Sequence, residues 1–310
     1  MGASSGIGAA TAIAFARQGA HLVLGARGKD GLEDIAWRCR DAGGTAEIRV
    51  VDATDADDVV AFARYARRAL GQIDLWFSNV GAGVVGKYAD VPLADHRRVI
   101  ETNLISHMND AHAVLPIFLE QDHGIWVNMI SAGGYIASPY AAAYSASKFG
   151  LRGFSQALRA EVSNKPHIHV CDVYPLFVDT PGFAHAANYT GARMSFPPGV
   201  LKPETVADVV VGLARRPRPT TGVGAPAGLL KLTQFATPNL AAKGMHCFLN
   251  AWSKRAERTN ITQGALYAPT AGADGLYSGD RPRAKRGNKG LALGAAVVAA
   301  AIGAQLLRRR

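Results

Sequence analysis

From residue 1 to about 225, short apolar runs alternate with longer amphipathic stretches. His21–Gly25 (HLVLG), Ala46–Val51 (AEIRVV), Ile73–Phe77 (IDLWF), Gly124–Met129 (GIWVNM) and His167–Val173 (HIHVCDV) read as buried strands. They are short, apolar and rich in β-branched or aromatic residues. Helical periodicity lies between them, near 6–19, 55–70, 93–120, 141–162 and 203–215. Such alternation requires parallel strands joined by crossover helices that cover both sheet faces. The expected fold is therefore α/β, a Rossmann-like doubly wound parallel sheet with helices on both faces.

Pro217, Pro219 and Gly222 interrupt this rhythm and close the first domain at residue 225. Residues 226–258 then read as a helical extension, with the pattern clearest over 228–257. Residues 259–289 are rich in Gly, Ala and polar residues and read as an irregular linker. Residues 290–307 (GLALGAAVVAAAIGAQLL) carry no charge.

Composition alters this picture in two places. The chain is 48% hydrophobic and 19% charged, which suits a packed core and argues against disorder. Cys39, Cys171 and Cys247 are far apart and form no ligand or redox spacing, so no metal is expected and a reducing compartment fits. The net charge of +10 suggests nucleic acid until it is located. Residues 281–310 hold eight Lys or Arg and no acid, which leaves +2 for residues 1–280. The body is near neutral and nucleic acid is not expected. A basic tail flanking an apolar run points to an anionic membrane surface. Eighteen uncharged residues approach the minimum for a bilayer span, but Ala and Gly make insertion only weakly favourable. The tail is either an anchor at a cytoplasmic membrane face or a helix packed on the body or a partner. No secretory signal is visible at the N-terminus, so a cytoplasmic location is expected.

The first chemical motif is Gly2-Ala3-Ser4-Ser5-Gly6-Ile7-Gly8. A dinucleotide fold needs such a turn because glycines let backbone approach a pyrophosphate. The following helix offers free N–H groups and a positive dipole end. The next strand ends in Gly25-Ala26-Arg27. An NAD site usually has an acid there for the ribose hydroxyls; Arg27 suits a 2′-phosphate instead, which favours NADP(H) over NAD(H). Asp52 ends the following strand and is a candidate for the adenine amino group. Asn79 and Gly81 (SNVG) end the next and are candidates for close approach to the adenosine half.

Tyr144 and Lys148 stand four residues apart on a predicted helix and so share a face. Tyr can exchange a proton with a carbonyl oxygen, but its ordinary pKa of about 10 must fall for it to act as a base near neutrality. A neighbouring Lys148 ammonium is expected to favour the phenolate and to hold the nicotinamide ribose. Ser131 follows the apolar strand GIWVNMI, where ligands bind in such sheets. Asn103 falls inside a long helix, where a polar amide is expected to disturb the helix and hold a water that feeds protons to Lys148.

The set GASSGIG, SNVG, Asn103, Ser131, Tyr144-x-x-x-Lys148 and Pro175-Leu-Phe-Val-Asp-Thr180 resembles the short-chain dehydrogenase/reductase family in order and spacing over residues 1 to about 225. The resemblance implies a tetrad of Asn103, Ser131, Tyr144 and Lys148. It implies that Pro175, Val178 and Thr180 border the nicotinamide, with Thr180 and the backbone near Val178 holding its carboxamide. It also implies a small carbonyl or alcohol substrate and a dimer or tetramer. The region 182–200 matches the family's substrate-covering loop. Phe183, Tyr189, Met194 and Phe196 there either line an apolar pocket or pack beneath a lid.

The sequence departs from the family at Leu176, where Gly is usual, and at SNVG, where NNAG is common. Leu176 is expected to crowd the nicotinamide. The family's first strand precedes the Gly-rich turn, whereas here Met1 stands at the turn itself. Loss of that strand would leave neighbouring strands without ladder partners. The expectation is a true start upstream of Met1, or a fragment. A catalytically silent nucleotide-binding or interaction protein is the competing class.

Overall fold

The computed structural model describes residues 1–194, 200–225, 238–253, 256–269 and 275–278, with residues 228, 231, 232 and 235. Phe196 and the apolar run 290–307 lie outside the described residues, as does the basic segment 281–310. Among the described residues no helix is long and apolar enough to cross a membrane.

Helix α1 spans Gly6–Ala16, strand β1 His21–Ala26, α2 Lys29–Asp41, β2 Thr45–Val50, α3 Ala56–Leu70 and β3 Leu75–Ser78. A short strand β4 at Val84–Val85 follows, then α4 at Leu93–Ile100, α5 at Ser106–Gln121 and β5 at Gly124–Met129. Helix α6 spans Ala142–Glu161, β6 Ile168–Pro175, α7 Pro181–Ala184, β7 Ala187–Asn188, α8 Pro203–Arg215 and β8 Thr220–Val223. A further helix covers Pro238–Ser253.

All strand pairs are parallel. One sheet has the order β3-β5-β6-β8 and another pairs β1 with β2, while β4 pairs with β7. Between β1 and β3 there is no ladder. Met1–Ala3 bridges the ends of these two strands instead. The Met1 ammonium donates to the Phe77 carbonyl at 2.8 Å, and the Gly2 and Ala3 N–H groups donate to the Gly25 carbonyl at 2.8 and 3.2 Å. A shared core spans the break, because Met1, Val51, Phe62, Trp76, Phe118 and Trp126 form one buried cluster, with Val23 of β1 packed against it.

Helix α3 shows why the elements form where they do. The Asp55 carboxylate accepts from the Asp57 and Asp58 N–H groups, satisfying donors that have no helical partner. Arg67 and Arg68 end the helix and Gly71, at φ +79°, stops it. Val59, Phe62, Ala63 and Ala66 recur at helical spacing and are buried.

Two elements go beyond the sequence expectations. Helix α2 buries Leu32, Ile35, Ala36 and Cys39 on one stripe, although charged residues and Gly31 dilute the pattern. Strand β8 lies just after Pro219, which had marked a break. As the edge of its sheet it tolerates neighbouring Pro and Gly, and it pairs Asp172 with Thr220 through Pro175 with Val223. The expected helical extension is helical over Pro238–Ser253.

Candidate active site

Because the strands run parallel, their C-terminal ends face one edge. Arg27 follows β1, Asp52 follows β2, Asn79 and Gly81 follow β3, Ser131 follows β5, and Val178 and Thr180 follow β6, whose last residue is Pro175. The Gly-rich turn lies among them.

The turn is tight. A Cβ on Gly8 would lie 1.9 Å from the Gly2 carbonyl oxygen, so only hydrogen fits. Gly6, at φ +53°, lies against the Thr180 side chain, which ties the turn to the segment after β6. Asn79 turns inward, and its Nδ2 donates to the Gly2 carbonyl at 3.2 Å. Ser5 is the residue before α1 and makes no side-chain cap, and the backbone of Ser4 completes the bend. Ile7 points away and packs on the α8 side of the sheet.

Arg27 is half-buried, and its two terminal nitrogens donate to the Tyr267 and Ala265 carbonyls at 2.8 and 3.2 Å. Asp52 accepts from the Thr54 N–H and hydroxyl at 2.9 and 2.8 Å. Burial pushes its carboxyl up, but the Thr54 bonds and the Arg27 and Arg98 charges outweigh this and hold it below its ordinary value.

Helix α6 carries Tyr144 and Lys148 one turn apart, with the Lys148 Nζ 5.7 Å from the Tyr144 ring centroid. Ser131 Oγ lies beside the Tyr144 ring, since a Cβ on Gly133 would stand 3.5 Å from the one and 3.1 Å from the other, and it accepts from the Gly133 N–H at 3.1 Å. The Ser131 backbone sits at φ +129°. Burial pushes the Tyr144 phenol above its ordinary value, partly opposed by the neighbouring Ser131 hydroxyl. This differs from the expectation that Lys148 would lower it. Lys148 is itself buried, which pushes its ammonium down to about 7, and it donates to the Met129 carbonyl at 3.3 Å.

Asn103 does break its helix. Glu101–Ile105 forms a π-helical turn between α4 and α5. Its carboxamide is held by the Ala82 backbone and by Ser147: Oδ1 accepts from the Ala82 N–H at 2.6 Å, and Nδ2 donates to the Ala82 carbonyl at 2.9 Å and to Ser147 Oγ at 3.2 Å. This clamps the chain at Gly81, where a Cβ would lie 3.5 Å from Asn103 Oδ1 and 3.9 Å from Lys148 Nζ.

The substrate-side residues divide. Phe183 meets Phe177 edge to face at 6.3 Å, and Phe177 and its chain neighbour Leu176 are exposed. Leu176 sits near Gly224, and its N–H donates to the Val223 carbonyl at 3.0 Å. Tyr189 is not a simple pocket wall, because its hydroxyl donates to buried Asp95. Met194 is half-buried.

His107 was not anticipated. It is buried in α5, where Nε2 meets the Val80 carbonyl at 2.7 Å and Nδ1 meets Asn128 Oδ1 at 2.5 Å. Burial, with Lys148 nearby, pushes its imidazole down to about 4. A His within an apolar helical stripe gives no sequence signal of this role.

A family model for short chain dehydrogenases matches residues 1–189. The chain belongs to the short-chain dehydrogenase family. Estradiol 17-beta-dehydrogenase 11 of Macaca fascicularis is 32% identical over 162 residues, covering 52% of this chain and 54% of that protein. The 17-beta-hydroxysteroid dehydrogenase 13 of Mus musculus is 32% identical over 208 residues, covering 66% of each. The chain thus spans about half the length of the first of these relatives. An alcohol dehydrogenase of the archaeon Thermococcus sibiricus, solved with 5-hydroxy-NADP, superposes with a TM-score of 0.63 at 27% identity, over 72% of this short-chain dehydrogenase and 92% of that chain. A metagenomic short-chain oxidoreductase solved with NADP gives 0.61 at 29% identity, over 72% and 93%.

Proposed function

We propose that the chain is an NADP(H)-dependent oxidoreductase that interconverts a carbonyl and an alcohol, with NAD(H) the less favoured cofactor. The observation that carries this reading is the convergence of Ser131, Tyr144 and Lys148, with the Tyr144 ring and Ser131 Oγ meeting around Gly133 and Lys148 Nζ 5.7 Å from the Tyr144 ring centroid. The residues fit a dinucleotide. The turn before α1 is packed so tightly that a Cβ on Gly8 would strike the Gly2 carbonyl, which leaves only backbone at the start of α1, and half-buried Arg27 follows β1 on the same edge of the sheet. The solved complexes of the two structural neighbours with NADP or 5-hydroxy-NADP support the cofactor.

The cofactor, when bound, supplies or accepts the hydride. The residues of the chain do the rest. Gly2, Ser4, Ser5, Gly6, Ile7 and Gly8 hold the pyrophosphate through backbone and hydroxyl groups. Arg27 reads the 2′-phosphate, and Asp52, Asn79 and Gly81 border the adenosine. Pro175, Val178 and Thr180 border the nicotinamide. Ser131 orients the substrate oxygen beside Tyr144, which gives its proton to a carbonyl oxygen in reduction and takes one from an alcohol in oxidation. A phenol held above its ordinary value stays protonated at neutral pH, which suits donation. Lys148 holds the ribose hydroxyls, and Asn103 fixes Gly81 and Ala82 beside it. The names of the hydroxysteroid dehydrogenase relatives and the apolar Phe177 and Phe183 favour an apolar substrate. Membrane anchoring through residues 290–307, on the sequence alone, and homo-oligomer assembly, on the family resemblance, complete the reading.

Titration with NADPH and NADH, followed by cofactor fluorescence, tests the cofactor half. The wild-type chain is expected to prefer NADPH. Arg27→Ala is expected to reduce that preference about tenfold, the effect of one charge-assisted hydrogen bond. An unchanged NADPH-to-NADH ratio in the variant would remove Arg27 from the reading.

The pH profile tests the proton half. Reduction uses two acid forms, the Tyr144 phenol and the Lys148 ammonium. Lys148 loses its proton at about 7, so kcat/KM for carbonyl reduction should be highest below that pH and fall as pH rises through it. Lys148→Met should lack this limb. A rate that climbs across neutrality in the wild-type chain would contradict the assignment.

A further inference from the structure

The segment after the helix Pro238–Ser253 returns across the cleft. The Thr259 N–H donates to the Gly191 carbonyl at 3.1 Å, and Asn188 and Thr262 exchange backbone bonds at 2.8 and 3.1 Å. The Ala265 N–H donates to the His185 carbonyl at 2.9 Å. Leu266 is then driven inward. It is 1% exposed, in an apolar cluster with Val84, Val91, Val99 and Ala187, and Tyr144 packs on that cluster's edge. The Tyr267 hydroxyl and Gln263 Nε2 donate to buried Asp95 at 2.7 and 3.3 Å. Pro269 lies over Gly28, just after Arg27.

The same chain reappears at the phosphate turn. The Gly275 carbonyl accepts from the Gly6 N–H at 2.8 Å, and Gly275 bridges to Ser5. Tyr277 donates to Glu204 at 2.6 Å, and the Ser278 hydroxyl donates to Asp179 at 2.6 Å.

Three carbonyls of this segment therefore occupy donors of the cleft. Ala265 and Tyr267 take the Arg27 guanidinium, and Gly275 takes the single N–H of Gly6. Under the proposed function, which this inference assumes, those donors hold the 2′-phosphate and the pyrophosphate. A carbonyl is a neutral acceptor of the kind a phosphate oxygen outcompetes, because bonds from a cation or a helix start to an anion are the stronger.

We propose that residues 256–269 and 275–278 belong to an autoinhibitory strap that lies in the cofactor cleft and competes with NADP(H). Cofactor binding requires the Gly275 and Tyr267 ends to lift from Gly6 and Arg27. The contacts that retain the strap are mostly polar and include one deeply buried apolar side chain, Leu266, so it is held but separable. Apparent affinity falls in proportion to the open fraction, and anything that frees the strap raises it.

The test uses the full chain and two variants outside the proposed catalytic and cofactor sets. Leu266→Ser weakens the buried middle, and Tyr277→Phe with Ser278→Ala releases the far end while leaving every apolar cluster intact. Each is expected to bind NADPH about tenfold more tightly than wild type in fluorescence titration. In the wild-type chain, saturating NADPH is expected to speed amide hydrogen exchange at Ala265 and Leu266, which adjoin the carbonyls that must leave Arg27. This second readout needs no substitution and stands if a variant fails to fold. NADPH binding that is unchanged or weaker in the far-end variant, or strap amides that stay equally protected with NADPH bound, would overturn the strap while leaving the cofactor assignment in place. If neither wild type nor variants bind NADPH, the cofactor assignment itself falls and the strap with it.

Discussion

Tyr144→Phe is expected to cost about a thousandfold in kcat for carbonyl reduction while leaving the NADPH dissociation constant within about twofold. The substitution removes one oxygen and keeps the ring, so packing on the Leu266 cluster is preserved. What disappears is the hydroxyl of the ring beside Ser131, and with it the proposed proton donor. Single-turnover reduction with bound NADPH reads the chemical step directly. Equal turnover in wild type and variant would rule out the mechanism, and an equal loss of NADPH binding would mean that Tyr144 acts through structure. Burial holds the phenol up in this site, so its deprotonated form, the base that alcohol oxidation needs, is hard to reach and the reductive direction should be the faster at neutral pH.

The second large effect is expected at Gly8. An added methyl group would stand 1.9 Å from the Gly2 carbonyl oxygen and 2.9 Å from Asn79 Nδ2. Both neighbours are committed: Asn79 Nδ2 donates to that same carbonyl, and Gly2 is bonded to Gly25. The turn has to open rather than adjust. Gly8→Ala should therefore lower NADPH affinity by about a hundredfold or more, with overpacking of about 1–3 kcal/mol lowering the melting temperature by roughly 5 °C. Gly212→Ala, on an exposed face of α8 with no atom near the added Cβ, is the matched control and should leave both quantities unchanged or slightly improved. Tight NADPH binding by the Gly8 variant would mean that the turn is not the phosphate cradle.

The parts of the fold legible in the sequence are those whose signal is local. β5 matches its predicted bounds at Gly124–Met129 and α8 matches 203–215, because an apolar run or a helical stripe marks each without help from distant residues. Helix α2 escaped because its four buried apolar side chains are outnumbered by charges, and β8 escaped because an edge position excuses the Pro and Gly that normally argue against a strand. The Tyr144–Lys148 pair was legible by spacing and the tetrad only through the family resemblance, and the structure brings Ser131, Tyr144 and Lys148 to one place. Their electrostatics were not legible. Lys148 looked like a fixed positive charge, yet its own burial weakens the ammonium before it can act on Tyr144. The partners of Arg27 were equally hidden, since Ala265 and Tyr267 lie more than two hundred residues away and bind through backbone oxygen, which no side-chain pattern encodes.

The backbone of Ser131, at φ +129°, occupies a region where glycine rests freely and a side chain costs about 1–3 kcal/mol. Selection for thermal robustness alone would drift this position toward glycine, and every such drift would discard the hydroxyl that touches Tyr144. The site therefore sits at a point of opposed pressures, where engineered or inherited gains in heat tolerance at this residue come at the expense of turnover. A thermostable variant library screened only for folding would be enriched in inactive chains at this one codon.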